Sequence, residues 1–252
     1  MKYSKQISET ERWWNSKNIL KFDSQYKESY FDKTVILYQN SRMNKVYEFI
    51  NQQKFKNILE VGFGAGQLIK KIIKNKKNID YYGIEISKPL LNKTKQRIKK
   101  VKSNSRVKLS IQNVDKGLKF KKNKFDIIVA VGVFHYSSNI NKGLKEIYKI
   151  LKKDGIFIIA QRSGYAFSFL FNLRYLLRSI LYLLSNEKYE LFPSYRSILC
   201  DSNLGVYFKK FQNKKFFNTE FMLQNHDFYK YKIKKRLMTP SILKKETTKV
   251  GF

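Results

Sequence analysis

The stretch "ILEVGFGAG", residues 58–66, constrains this chain more than any other. It is an apolar run broken by one acid, Glu60, and followed by glycine at every second position: Gly62, Gly64 and Gly66. A short apolar run of this kind reads as a buried strand. Glycines directly behind it allow the positive φ angles that a sharp strand-to-helix turn demands. The following segment, "GQLIKKIIK", places Leu68, Ile69, Ile72 and Ile73 on one helical stripe. A strand of this sort is covered on both faces only when similar units flank it.

The rest of the chain supplies those units. Residues 10–55 read mostly as helix with a loop at 18–34, and Ile36, Met43, Val46, Tyr47 and Ile50 recur at helical spacing. "YYGIEI" (81–86) is a second strand, and Ser87 with Pro89 marks the start of the next helix. "VKLSIQ" (107–112) alternates apolar and polar positions, as a strand at a sheet edge does, whereas "FDIIVAVGVF" (125–134) is continuously apolar, as a central parallel strand is. A helix over 140–155 and a fifth strand, "IFIIAQ", follow. Strands alternating with helices predict a doubly wound α/β fold. Beyond it, residues 168–185 form an amphipathic helix with Ser168, Asn172, Arg174, Arg178 and Ser179 on its polar side. "FFNTEFML" and "FYKYKIKKRL" read as two last strands, the second with lysine at alternate positions.

The expected architecture is therefore a Rossmann-like, seven-stranded, mostly parallel sheet with an antiparallel last strand. N-terminal helices precede it, and a helical lid separates strands five and six. The corresponding division is a helical cap (1–54), a ligand-binding core (55–162), a lid (163–212) and C-terminal strands with a tail (213–252).

The glycine spacing bears on the ligand. A dinucleotide turn reads G-x-G-x-x-G and seats a pyrophosphate at the helix N-terminus. Here the spacing is G-x-G-x-G, with Glu60 two residues before the first glycine. A carboxylate there repels phosphate and attracts an ammonium group. The ligand such a turn suits has an adenosine-like body, no phosphate and a cationic end, which describes S-adenosylmethionine.

In its ordered motifs over roughly residues 55–162, the chain resembles the class I S-adenosylmethionine-dependent methyltransferases, small-molecule type. "LEVGFGAG" is similar to the first motif of that family, "YYGIEIS" to its second strand, "VKLSIQNVD" to the element bracketing the adenine, and "KFDIIVAVGVFHY" to its fourth strand. The resemblance implies cofactor contacts from Glu60, Gly62, Phe63, Gly64, Ala65, Gly66, Glu85, Ile86, Asn113, Val114 and Val131. Within that set, Glu85 would accept from the ribose hydroxyls. The family often carries an Asp against the adenine amino group, a place near which both Asn113 and Asp115 stand. The turn before strand five, usually Pro-Gly-Gly, is Lys153-Asp154-Gly155 here.

An oxygen acceptor also needs a proton-accepting group, for which His135 and then Tyr136 are the candidates. Tyr26 and Tyr30 resemble the segment that covers the ligand in small-molecule members. Arg174, Arg178 and Arg196 point to an anionic, lipid-linked or glycan-linked acceptor. Trp13 and Trp14 read as packing.

Composition trims the alternatives. The formal charge of +33 invites a nucleic-acid reading, yet lysines outnumber arginines 43 to 9 and are scattered. Phosphate and base recognition favour arginine's planar fork, so compositional drift is the favoured explanation and RNA methylation the runner-up. A non-catalytic methyltransferase-like subunit would show an eroded glycine turn or missing acids. Helix 168–185 allows peripheral membrane contact but does not suit a span, because Arg174 and Arg178 would each cost about 2.5–3.5 kcal/mol mid-bilayer. The single cysteine, Cys200, forms no internal disulfide, and no Cys/His cluster suggests a metal. With no apolar leader in "MKYSKQISETERWW", the expected compartment is the cytoplasm.

Overall fold

The computed structural model describes residues 11–16, 19, 33–160, 221–226, 231–236 and 240–252. The anticipated lid helix, Tyr26, Tyr30, Arg174, Arg178, Arg196 and Cys200 lie outside the described residues.

Helix α1 (Lys33–Gln52) leads into strand β1 (Asn57–Val61), followed by α2 (Gln67–Asn75), β2 (Asp80–Glu85), α3 (Lys88–Lys99) and β3 (Arg106–Ile111). The second half runs β4 (Phe125–Val131), α4 (Ile140–Ile150), β5 (Leu151–Ala160), β6 (Phe221–His226), β7 (Tyr231–Arg236) and α5 (Pro240–Thr248). Five strands form one parallel sheet in the order β3-β2-β1-β4-β5. The apolar run of β4 sits inside this sheet and the alternating β3 at its edge, as their patterns anticipate.

Alternation along each strand builds two cores. Ile58, Tyr81, Ile127 and Val129 face α1 and α2, meeting Met43, Val46, Ile50, Leu68, Ile69, Ile72 and Ile73. Leu59, Val61, Ile84, Ile128 and Ala130 face the other way and meet Leu144, Ile147 and Ile150 of α4. Both faces of the sheet are covered, which is the condition under which an all-parallel sheet is stable.

The helix starts follow local chemistry. Ser87 accepts from the Leu90 N–H at 3.3 Å at the start of α3, and Asn139 accepts from the Lys142 N–H at 3.1 Å at the start of α4. Each satisfies an otherwise orphaned first-turn donor.

Two expectations change. Strands β6 and β7 pair antiparallel with each other in a separate two-stranded ladder, so the described strands make five plus two, not one seven-stranded sheet. β7 lies instead beside the 3₁₀ turn Phe134–Tyr136. Secondly, helix α4 stops at Ile150, and Lys152 to Gly155 form a bulge inside β5: pairing jumps from Phe125↔Leu151 to Ile127↔Ile156. Among the described residues, no helix is long and apolar enough to cross a membrane.

Candidate active site

The chain winds from β1 outward to β3, then returns past β1 to β4. Ligands of open α/β sheets bind in the crevice at such a reversal, outside the carboxyl ends of the strands. All eleven anticipated cofactor contacts fall at the carboxyl ends of β1 to β4 or in the turns that follow them.

The glycine turn forms the floor. Gly62, Gly64 and Gly66 all have positive φ, at 68°, 55° and 76°. They meet different surroundings. A Cβ on Gly62 would stand 2.5 Å from Val133 Cγ2, and one on Gly66 would stand 2.6 Å from Thr94 Cγ2. Among the described residues, a Cβ on Gly64 would meet nothing within 4 Å. Two glycines are thus demanded by packing, while the middle one opens onto the space a ligand would fill.

Glu85, at the end of β2, grips that open position. Its carboxylate accepts from the Gly64 N–H at 2.8 Å, the Ile86 N–H at 2.8 Å and the Ser87 N–H at 3.2 Å. Burial raises its pKa above the usual carboxylate range, against the lowering pull of those three N–H groups. A carboxylate offers about four acceptor sites, so one ribose hydroxyl can be taken without disturbing the turn.

Glu60 lies deeper, 2% exposed. The Tyr81 hydroxyl donates to its Oε2. Burial pushes the Glu60 carboxyl up to about 7; the Tyr81 hydrogen bond opposes the rise and the charge on Glu85 adds to it. The Tyr81 hydroxyl is itself held well above its ordinary pKa by burial and by Glu60. Glu60 therefore titrates in the neutral range, one charge short of a partner. An ammonium group would complete it.

At the end of β3 the structure separates the two adenine candidates. Asp115 is buried and turned inward, accepting from Ser137 Oγ at 2.5 Å, Ser138 N–H at 2.7 Å and Ser138 Oγ at 2.8 Å. Asn113 remains half-buried at the crevice, accepting from the Asp115 N–H at 2.9 Å. Phe63 and Val114 point into the core rather than the crevice: Gly83 makes room for the Phe63 ring, and Val114 joins the α4-side cluster. Any contact they make to a ligand comes from their backbone. Ala65 is buried beneath Trp13, Ile86 is half-buried and offers its carbonyl to Asn15, and Val131 packs partly into the α2-side core.

His135 and Tyr136 share the 3₁₀ turn after β4. The Tyr136 ring lies 6.4 Å from that of Trp13 and 5.3 Å from that of Trp14. Those tryptophans do pack, as anticipated, but they pack at the site.

Several supporting residues escaped the sequence reading. Besides Tyr81, Thr94 Oγ1 donates to the Gly64 carbonyl at 3.0 Å, and Arg97 donates to the Ala65 carbonyl, so α3 holds the glycine turn from behind. Thr94 and Arg97 sit three residues apart on α3, and that spacing was the only available hint.

The space at Gly64, the half-buried Asn113 after β3 and two buried acids fit an adenosyl ligand with a cationic arm. The parallel sheet and its covering helices share the fold of class I S-adenosylmethionine-dependent methyltransferases. Residues 59–157 match the model of the methyltransferase domain family. An uncharacterized methyltransferase of Bacillus subtilis is 30% identical over 99 residues, covering 39% of this chain and 52% of the relative. A ubiquinone/menaquinone biosynthesis C-methyltransferase of Rickettsia prowazekii is 31% identical over 111 residues, covering 42% of this chain and 44% of the relative. The chain thus spans about half the length of these curated relatives. Among solved structures, an S-adenosylmethionine-dependent methyltransferase from Methanosarcina mazei shares the fold with a TM-score of 0.55 at 14% identity, over 81% of this chain and 82% of that one.

Proposed function

We propose that the protein transfers a methyl group from S-adenosylmethionine to a small-molecule acceptor. The observation that carries the reading is the Gly64 position: backbone at positive φ, no described residue where a side chain would start, and its N–H held by a buried carboxylate. The Rickettsia relative, named as a C-methyltransferase of quinone biosynthesis, supports an acceptor of small-molecule size. The acceptor classes that fit the arginines beyond residue 162 are anionic, lipid-linked and glycan-linked molecules.

S-adenosylmethionine supplies a methyl group already activated on a sulfonium, so the chain's residues have positioning to do rather than covalent work. Glu85 orients the ribose, Glu60 the ammonium, and Asn113 stands at the adenine end. Trp13, Trp14 and Tyr136 keep water from the mouth of the crevice. Holding an acceptor in line with the sulfonium supplies up to ~7–11 kcal/mol of barrier reduction. For an oxygen acceptor the departing proton needs a base, and His135 and Tyr136, on the turn after β4, are the candidates.

Calorimetry on the folded protein is the direct test. S-adenosylhomocysteine should bind with micromolar-order affinity, roughly −8 kcal/mol, and NAD should not bind. NAD binding, or no response to S-adenosylhomocysteine, overturns the reading. Glu85→Ala should weaken S-adenosylhomocysteine by about 1.5–3 kcal/mol, the worth of hydrogen bonds to a charged acceptor. Its melting midpoint should fall too, because the N–H groups of Gly64, Ile86 and Ser87 lose their shared partner.

A further inference from the structure

Residues 11–16 cross the mouth of the crevice and touch every wall. Asn15 donates to the Ile86 carbonyl at 3.0 Å and accepts from the Lys88 N–H at 2.9 Å, while Ser87 Oγ donates to the Trp14 carbonyl at 2.5 Å. Trp13 is buried against Ala65 of the glycine turn, and Trp14 meets Tyr136 after β4. Glu11 reaches the remaining wall. Its Oε1 accepts from Asn113 Nδ2 at 2.9 Å, and Lys116 Nζ reaches both its oxygens, Oε1 at 2.8 Å and Oε2 at 2.9 Å.

On the cofactor reading above, an adenine amino group at the end of β3 needs an acceptor, and the described residues there have little to offer. The Asn113 oxygen is engaged by the Asp115 N–H, and the Asp115 carboxylate is spent on Ser137 and Ser138 inside the core. The carboxylate that stands beside Asn113 outside the core comes from position 11.

We infer that Glu11 is a specificity-determining residue of the cofactor site, its carboxylate accepting a hydrogen bond from the adenine 6-amino group. This rests on the S-adenosylmethionine reading proposed above. The chemistry is selective. Adenine presents an amino donor beside the N1 acceptor, and a carboxylate only accepts. Lys116 and Asn113 both hold that carboxylate in place, and the second N–H of the Asn113 amide is suited to N1. A hypoxanthine ring presents a carbonyl and an N1–H at the same edge, setting lone pairs against the carboxylate, which is discrimination by repulsion.

The test is calorimetry with two probes, S-adenosylhomocysteine and S-inosylhomocysteine, on wild type, Glu11→Gln and Glu85→Ala. Wild type should prefer the adenosyl probe by at least about tenfold, the worth of one well-placed hydrogen bond to a charged group. Glu11→Gln should shrink that preference by about fivefold or more, because its amide can turn an N–H toward the inosyl carbonyl. Glu85→Ala should weaken both probes by the same factor. If Glu11→Gln also weakens both equally, or leaves the preference unchanged, residues 11–16 are a packing strap and the inference falls. Wild type binding both probes equally overturns it as well, with the cofactor reading still standing. Folded wild type binding neither probe removes the cofactor reading, and this inference with it.

Discussion

Gly64→Val should yield a folded protein that no longer binds S-adenosylhomocysteine, with affinity reduced at least about a hundredfold, or some 2.7 kcal/mol. The substituted Cβ meets no atom of the described residues within 4 Å. The folding penalty set by the backbone is the unfavourable φ of 55°, of order 1–3 kcal/mol for a non-glycine residue. Its methyl groups would fill the space into which the ligand must come. Gly66→Ala makes the opposite forecast. Its Cβ would stand 2.6 Å from Thr94 Cγ2, so Thr94 must leave the Gly64 carbonyl it now holds. Overpacking of this kind typically costs 1–3 kcal/mol, to which the positive φ adds. Thermal unfolding and calorimetry on both variants separate the two cases. A Gly64→Val protein that still binds at near wild-type affinity would remove the glycine turn from the site.

The second large effect is one of pH. With the Glu60 carboxyl at about 7, its ionised fraction rises steeply between pH 6 and 8. Affinity for S-adenosylhomocysteine should tighten by about tenfold over that interval, following the charge that meets its ammonium. Two controls belong with it: Glu60→Gln should flatten the profile, and 5′-methylthioadenosine, which has no ammonium arm, should show none. Stability runs the other way. A carboxyl whose folded pKa is raised makes the folded state bind more protons than the unfolded state between pH 4.5 and 7, so its burial destabilises increasingly as pH rises through that window. The displacement corresponds to about 3 kcal/mol. Glu60→Gln should therefore gain up to about that much stability over wild type at pH 8, and little at pH 4.5. Ligand affinity that is flat in the wild type would detach Glu60 from the ammonium.

What could be read from the sequence was what is local or periodic. The β1 run, the glycines behind it, the Ser87 cap, the edge character of β3 and the interior character of β4 each declare themselves within ten residues, and each is found where expected. Glu60 and Glu85 were recognisable because their distances from the glycines are fixed by one turn and one crossover. The partners of those acids were not. Tyr81 reaches Glu60 across 21 positions, Thr94 reaches Gly64 across 30, and Glu11 reaches Asn113 across 102. Such contacts depend on register and helix placement, which leave no periodic trace. Asn113 and Asp115 were indistinguishable for the same reason: two residues apart at the end of a strand, they part only when the turn Val114–Lys116 sends one inward. The bulge at 152–155 was hidden by a lysine-rich stretch that extends the helical pattern past its true end.

The inward course of Asp115 has a consequence for how the two ends of the crevice communicate. This carboxylate belongs to the adenine end by sequence, yet its hydrogen bonds all go to Ser137 and Ser138, directly behind the turn that carries His135 and Tyr136. A shared buried partner makes neighbouring positions energetically interdependent. Cofactor and acceptor subsites would then be coupled thermodynamically without touching, and paired substitutions at Asn113 and Tyr136 would depart from additivity by an amount that Asp115→Ala erases.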